Sequence, residues 1–228
     1  MNMVISEIFY SLQGEGFLAG VPSVFVRLAG CPLRCKWCDT KYARDDGAGS
    51  DYSIEEILQT VQQGKGKFIV ITGGEPMANS DLPELLQKLK SLGKHITIET
   101  AGIVFMPDLA CDLMSISPKL SNSTPEKLEL AETHEALRFD AAVLRKLIDN
   151  YKYQLKFVVD SQDDLAEIQQ TIEKVGNVDS DKVMLMPQAA TRDELLTKSP
   201  MVAEMCKRTG FAFCQRLQIL LWDSAKGK

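Results

Sequence analysis

The sequence predicts an α/β fold: a parallel sheet with crossover helices that closes only part of a barrel. Three observations predict it. Strand-like apolar runs alternate with helical segments every 25 to 40 residues or so, the rhythm of successive βα units. Only about six core strands can be counted, too few for a complete eight-stranded barrel. The 228 residues suit one domain, 1–228, with a substantial core, and no Pro/Ser-rich linker, low-complexity tract or repeat divides them.

The elements follow in order. Residues 3–10 read as a short strand leading into S-L-Q-G-E-G (Ser11 to Gly16). Glycines there let backbone approach a ligand, and Gln13 and Glu15 offer an amide and a carboxylate suited to a heterocycle edge. A plain surface turn explains the same segment. Ser23 to Leu28 is the first core strand, and Arg27 is out of place in it. A charge there either snorkels to solvent or offers a guanidinium fork to a carboxylate.

After that strand comes G-C-P-L-R-C-K-W-C-D-T, Gly30 to Thr40. Tyr42 to Asp51 is a Gly/Asp/Ser-rich loop. Ser53 then caps a helix running to about Gln63, with Glu56 completing a capping box. Lys67 to Thr72 is a buried strand ending in T-G-G-E-P, followed by a helix from Leu82 to Leu92. Glycines at the C-terminal end of a strand suit a site at the rim of a parallel sheet; no G-K-[ST] follows, so this is not a P-loop. His95 to Glu99 and Cys111 to Ser117 are the next strands. Glu99 is either a strand-end charge in solvent or an acceptor for paired hydroxyls. Residues 121–134 read as a polar loop with His134 at the solvated surface, and Glu135 to Asn150 as one helix. Tyr153 to Asp160 is a strand in which Gln154 and Lys156 alternate with apolar residues. A helix from Gln162 to Val175, a strand from Lys182 to Met186, a helix over 192–209 and a strand over 211–221 complete the chain.

Composition narrows the function. A net charge of −5 without a Lys/Arg-rich block offers no footprint for nucleic acid. No apolar run approaches membrane-spanning length, and the N-terminus lacks a signal-peptide pattern, so the expected address is the cytoplasm. Of six cysteines, Cys31, Cys35 and Cys38 fall within eight residues, a metal-binding rather than a disulfide pattern. Cys111, Cys206 and Cys214 are scattered among apolar neighbours and read as small core residues. Three thiols are one fewer than the four that saturate a 4Fe–4S cluster, leaving one iron open to a ligand. A closed zinc site would need a fourth ligand, and His95 and His134 lie far along the chain.

The C-x3-C-x2-C spacing resembles the cluster motif of radical S-adenosylmethionine (SAM) enzymes. With S-L-Q-G-E-G, A-G-x-P (Ala19 to Pro22), F-V-R-L-A-G-C-P-L-R-C-K-W-C-D-T (Phe25 to Thr40) and I-T-G-G-E-P (Ile71 to Pro76), the chain resembles the 7-carboxy-7-deazaguanine synthase family. The resemblance implies a radical-SAM-type partial barrel. It implies that Cys31, Cys35 and Cys38 bind a 4Fe–4S cluster and that Thr40 gives an oxygen to Mg²⁺. It assigns Leu12, Gln13, Gly14, Glu15, Arg27 and Thr72 to the substrate, Arg27 taking its carboxylate. It assigns Trp37, Gly74, Glu75, Glu99, Ser117, Lys119 and, in preference to Lys156, Gln154 to SAM, with Glu75 also orienting its loop.

The implied reaction forms a 5′-deoxyadenosyl radical that abstracts hydrogen from C6 of 6-carboxy-5,6,7,8-tetrahydropterin. The substrate radical then contracts its ring and loses ammonia, giving 7-carboxy-7-deazaguanine for queuosine. The implied partners are the pterin, an electron donor such as flavodoxin or ferredoxin, and a second copy of the chain. A glycyl-radical-enzyme activase shares the cysteine spacing but acts on a protein backbone; S-L-Q-G-E-G and Arg27 favour the small molecule. A cluster- or zinc-bearing interaction module is opposed by G-G-E-P and the polar strand ends. The C-terminus departs from the family: Gln218 stands where members often carry His, and D-S-A-K-G-K extends beyond Trp222.

Overall fold

The computed structural model describes residues 2–64, 66–223, 225 and 227. In chain order the strands and helices are β1 (Asn2–Leu12), β2 (Pro22–Leu28), β3 (Ser50–Ser53), α1 (Ile54–Gln63), β4 (Phe68–Gly73), α2 (Leu82–Ser91), β5 (His95–Thr100) and β6 (Leu113–Ile116). Then come α3 (Leu128–Leu137), α4 (Ala141–Asn150), β7 (Tyr153–Val159), α5 (Asp164–Val175), β8 (Val183–Pro187), α6 (Arg192–Thr209), β9 (Ala212–Phe213) and α7 (Leu217–Trp222). One sheet runs β3-β1-β2-β4-β5-β6-β7-β8-β9. From β2 to β9 every pairing is parallel, while β1 pairs antiparallel with both β2 and β3. The parallel part is the expected open barrel; six of its strands have four residues or more, and β9 adds two.

Period-two alternation sorts the residues of each strand between the two faces. Leu155, Phe157 and Val159 of β7 join Ile96, Ile98, Met114 and Ile116 in the main core beneath the helices. The intervening Gln154 and Lys156 point the other way and are equally buried. Val158 continues that inner face, packing with Met184, Met186 and Cys214, with Trp37 against them. The loop after β1 enters this interior: the Gly16 N–H reaches Cys214 Sγ at 3.2 Å and the Phe17 N–H reaches Gln154 Oε1 at 2.8 Å.

Five expectations are corrected. Residues 121–134 are not a loop; they hold a 3-10 turn, Ser121–Ser123, and most of α3. The single helix expected over 135–150 is two, because Asp140 starts afresh by accepting the N–H groups of Ala142 and Val143. His134 is 1% exposed, the one buried residue of α3, not a surface side chain. The strand expected over 211–221 ends at Phe213 and gives way to α7. A short apolar run such as L-Q-I-L-L-W fits a buried strand or a helix equally by pattern, and the Leu217 N–H is drawn to Gly14 O at 2.9 Å. The Ser53–Glu56 capping box of α1 forms as expected, and β3 pairs with β1 where only a loop was expected.

Candidate active site

A cavity of about 770 Å³ opens at the C-terminal ends of the parallel strands, where α/β sheets generally bind their ligands. The cysteine loop leaves β2 and forms part of its wall. Its start is fixed by the Gly30 N–H to Ala43 O and the Cys31 N–H to Arg44 O, both at 2.9 Å. The Arg34 guanidinium folds back onto the carbonyls of Cys31 and Leu33. Gly74 must be glycine here, since a Cβ on it would stand 1.7 Å from Gly30 O.

Cys31, Cys35 and Cys38 all line the cavity, and none is in a disulfide. Burial pushes the Cys31 thiol up to about 11, partly opposed by the Leu33 N–H. It also raises Cys35, against the nearby Lys119, and Cys38, against the Thr40 N–H. Backbone amides thus already face all three sulfurs, a donor set suited to thiolates once a metal supplies the larger positive charge. Among the described residues, no three His, Cys, Asp or Glu side chains are grouped to hold one metal ion. An iron–sulfur cluster takes one thiolate at each of its irons and so asks for a wider spacing than a single zinc, which holds its sulfurs at about 2.3 Å.

A chain of charges crosses the interior beside these thiols. Gln13 Nε2 donates to Glu99 Oε1 at 3.1 Å, and Lys156 Nζ donates to Glu99 Oε2 at 2.8 Å and Glu15 Oε2 at 3.0 Å. Glu15 Oε1 accepts from Arg216 Nε at 3.2 Å and from Gln218 Nε2 at 2.8 Å. Arg216 continues to Asp39 Oδ2 at 2.6 Å and Ala189 O at 2.5 Å. Asp39 Oδ1 accepts the Thr40 hydroxyl at 2.7 Å. Burial alone would raise Glu15, but Lys156 and Arg216 outweigh it and bring the carboxyl down to about 2. Burial likewise works against the Lys156 ammonium, yet Glu99 and Glu15 hold its pKa above the ordinary lysine value. Both groups are therefore charged at neutral pH.

Arg27 lines the cavity with Thr72, its register partner on β4. Its Nε is 2.6 Å from Glu7 Oε1, which also accepts the Tyr42 hydroxyl at 2.6 Å. The two terminal nitrogens have no hydrogen-bond partner among the described residues, so the fork is anchored at its base and open at its tip. Lys119 Nζ donates to Ser117 O and Oγ at 2.8 and 2.9 Å and stands 5.7 Å from the centre of the Trp37 ring. The Trp37 Nε1–H is taken by Asn122 O at 3.1 Å.

The expected site residues therefore gather in one cavity, with two placed elsewhere. Leu12, Gln13, Gly14 and Glu15, then Arg27, Thr72, Thr40 and Gly74, and finally Trp37, Glu99, Ser117 and Lys119, all line it. Glu75 lies behind the wall. Its carboxyl, raised by burial, accepts from Thr100 Oγ1, Ala101 N–H and Met77 N–H, which makes it the orienting group of its loop. Gln154 is also outside the lining, its amide spent on Phe17 N–H and Ser115 Oγ; Lys156 and Val158 are the β7 residues that line the cavity. Arg216 was not foreseen. Its signal was a cation beside an apolar run, which a buried partner explains.

A model of the Radical SAM superfamily matches residues 26–123. The 7-carboxy-7-deazaguanine synthase of Rhodopirellula baltica is 41% identical over 230 residues, covering 99% of this chain and 89% of that protein. The 7-carboxy-7-deazaguanine synthase of Halobacterium salinarum is 40% identical, covering 97% and 91%. The crystal structure of QueE from Escherichia coli matches with a TM-score of 0.71 at 25% identity, over 94% of this chain and 93% of that one.

Proposed function

This chain belongs to the 7-carboxy-7-deazaguanine synthase family of radical SAM enzymes, and we propose from that membership that it converts 6-carboxy-5,6,7,8-tetrahydropterin to 7-carboxy-7-deazaguanine and ammonia. One observation carries the reading: three free thiols, an open guanidinium fork and a fixed anionic carboxylate line the same cavity. Cys31, Cys35 and Cys38 would hold a 4Fe–4S cluster. When bound, the cluster and SAM supply one-electron chemistry that removes a hydrogen from an unactivated carbon.

The protein's own part is to bind, orient and shield. Arg27 offers its two free nitrogens to the substrate carboxylate, a bidentate match. Glu15 is ionised and accepts from ring N–H groups, while Gln13 beside it can donate or accept. Glu99 and Lys119 face the space for SAM, with Ser117 and Gly74 on the same rim. The Thr40 hydroxyl donates to Asp39 and keeps lone pairs for Mg²⁺, a hard cation that completes its shell with water and substrate. A small electron-transfer protein such as flavodoxin or ferredoxin would deliver the electron, in the cytoplasm, and the enzyme would work as a homodimer. No helix among the described residues is long and apolar enough to cross a membrane.

The test is anaerobic. Reconstituted with iron and sulfide, reduced, and given SAM, Mg²⁺ and the carboxypterin, the protein yields 7-carboxy-7-deazaguanine by mass spectrometry. Cys35→Ala yields none. Formation of 5′-deoxyadenosine without that product would move the substrate elsewhere.

A further inference from the structure

The site leaves one buried polar group unexplained. His134, on α3, lies outside the cavity lining yet is 1% exposed. Its Nδ1 accepts the backbone N–H of Arg34 at 3.2 Å. Its Nε2 stands 2.8 Å from Ser123 Oγ. That hydroxyl has already given its only proton to Leu120 O at 2.6 Å. It can therefore only accept from the ring, so Nε2 carries the hydrogen and Nδ1 the lone pair. Burial lowers the pKa of the imidazole and favours this neutral form.

The same short stretch makes two more bonds to the cysteine loop. The Lys36 N–H donates to Ser123 O at 2.8 Å, and the Trp37 indole N–H to Asn122 O at 3.1 Å. Asn122 is itself tied to Val158 O and Asp164, each at 3.0 Å. Arg34 and Lys36 flank Cys35, the middle and most buried of the three cysteines. The two amides beside this thiol thus end on Ser123 and His134, which lie beyond β6 in sequence.

We propose that His134 is a positioning residue for the cluster: with Ser123 it pins the backbone on either side of Cys35 and so sets where that thiolate stands. α3 supports this role, since it buries no other side chain and leaves Leu128 73% exposed. Its packing is a poor reason for a helix here; its bond to the loop is a better one. The inference rests on the cluster reading above.

The experiment separates the two nitrogens. In His134→Asn the side-chain oxygen can replace Nδ1 as acceptor for Arg34. In His134→Gln the amide reaches the Nε2 position and leaves the Arg34 N–H without its acceptor. Each protein is reconstituted, and release of iron to a chelator is followed by loss of cluster absorbance. Amide exchange at Arg34 is measured on the metal-free proteins.

The Gln variant is expected to release iron about tenfold faster than wild type and to lose protection at Arg34, the effect of one buried amide left unpaired. The Asn variant is expected to stay within about twofold of wild type on the same account. Equal behaviour of the two, or faster release without loss of protection at Arg34, would overturn the positioning role. A wild-type protein that takes up no four-iron cluster would instead overturn the reading beneath it.

Discussion

At the residue scale, Glu15 decides the electrostatics of the site. Four groups converge on this carboxylate and Glu99: two cations, Lys156 and Arg216, and two amides, Gln13 and Gln218. A carboxyl held at about 2 against an ordinary 4.5 stabilises the fold fully above pH 4.5 and loses that contribution as pH falls through 2. The shift is worth about 3 kcal/mol. Urea unfolding between pH 5 and pH 2 should therefore show a loss of stability shallower by up to that amount in Glu15→Gln than in wild type. At pH 7 the same variant should be less stable by about 3 kcal/mol, because two buried cations lose a shared partner. Sequence offered Glu15 as a carboxylate in a loop with two glycines, and the family resemblance assigned it to the substrate, but neither named its partners. Its partners are Lys156 on β7, Arg216 just before α7 and Gln218 on α7, and no local pattern announces pairings across 141 to 203 positions.

At the scale of elements, legibility followed the physical signal. Strands such as Phe68–Gly73, with its apolar run, and Tyr153–Val159, with its alternation of apolar residues, were readable because burial on one or both faces writes itself into composition. α3 was not, since its leucines form no single stripe and its only buried side chain is a histidine. α7 was misread because its position depends on docking, not on its own six residues. That docking is tight: a Cβ on Gly14 would stand 1.8 Å from Gln218 Oε1 and 3.1 Å from Gln218 N. Gly14→Ala should therefore lift α7 and cost about 1–3 kcal/mol in urea unfolding. Because the backbone nitrogen is the harder contact, adding Gln218→Ala should recover only part of the loss. A double-mutant cycle reads that coupling directly; strict additivity would mean that the two residues do not meet.

At the scale of the whole molecule, the barrel is finished by its termini, not by a closed ring of strands. The hairpin loop between β1 and β2 fills the interior from one side, and α7 clamps it through Arg216 and Gln218. A chain ended after Gln215 keeps every strand of the sheet but takes Arg216 from both Glu15 and Asp39. Its melting temperature should fall by roughly 10 °C, from broken buried pairs. Limited proteolysis should then cut first within residues 13–21, the loop that has lost its clamp. Arg216 lies 201 positions after Glu15. During synthesis the cysteine loop and the Q-G-E-G segment emerge early and wait, through the making of seven further strands, for the residues that complete their cavity. The pocket is complete only once Arg216 and Gln218 have been made and have docked on Glu15.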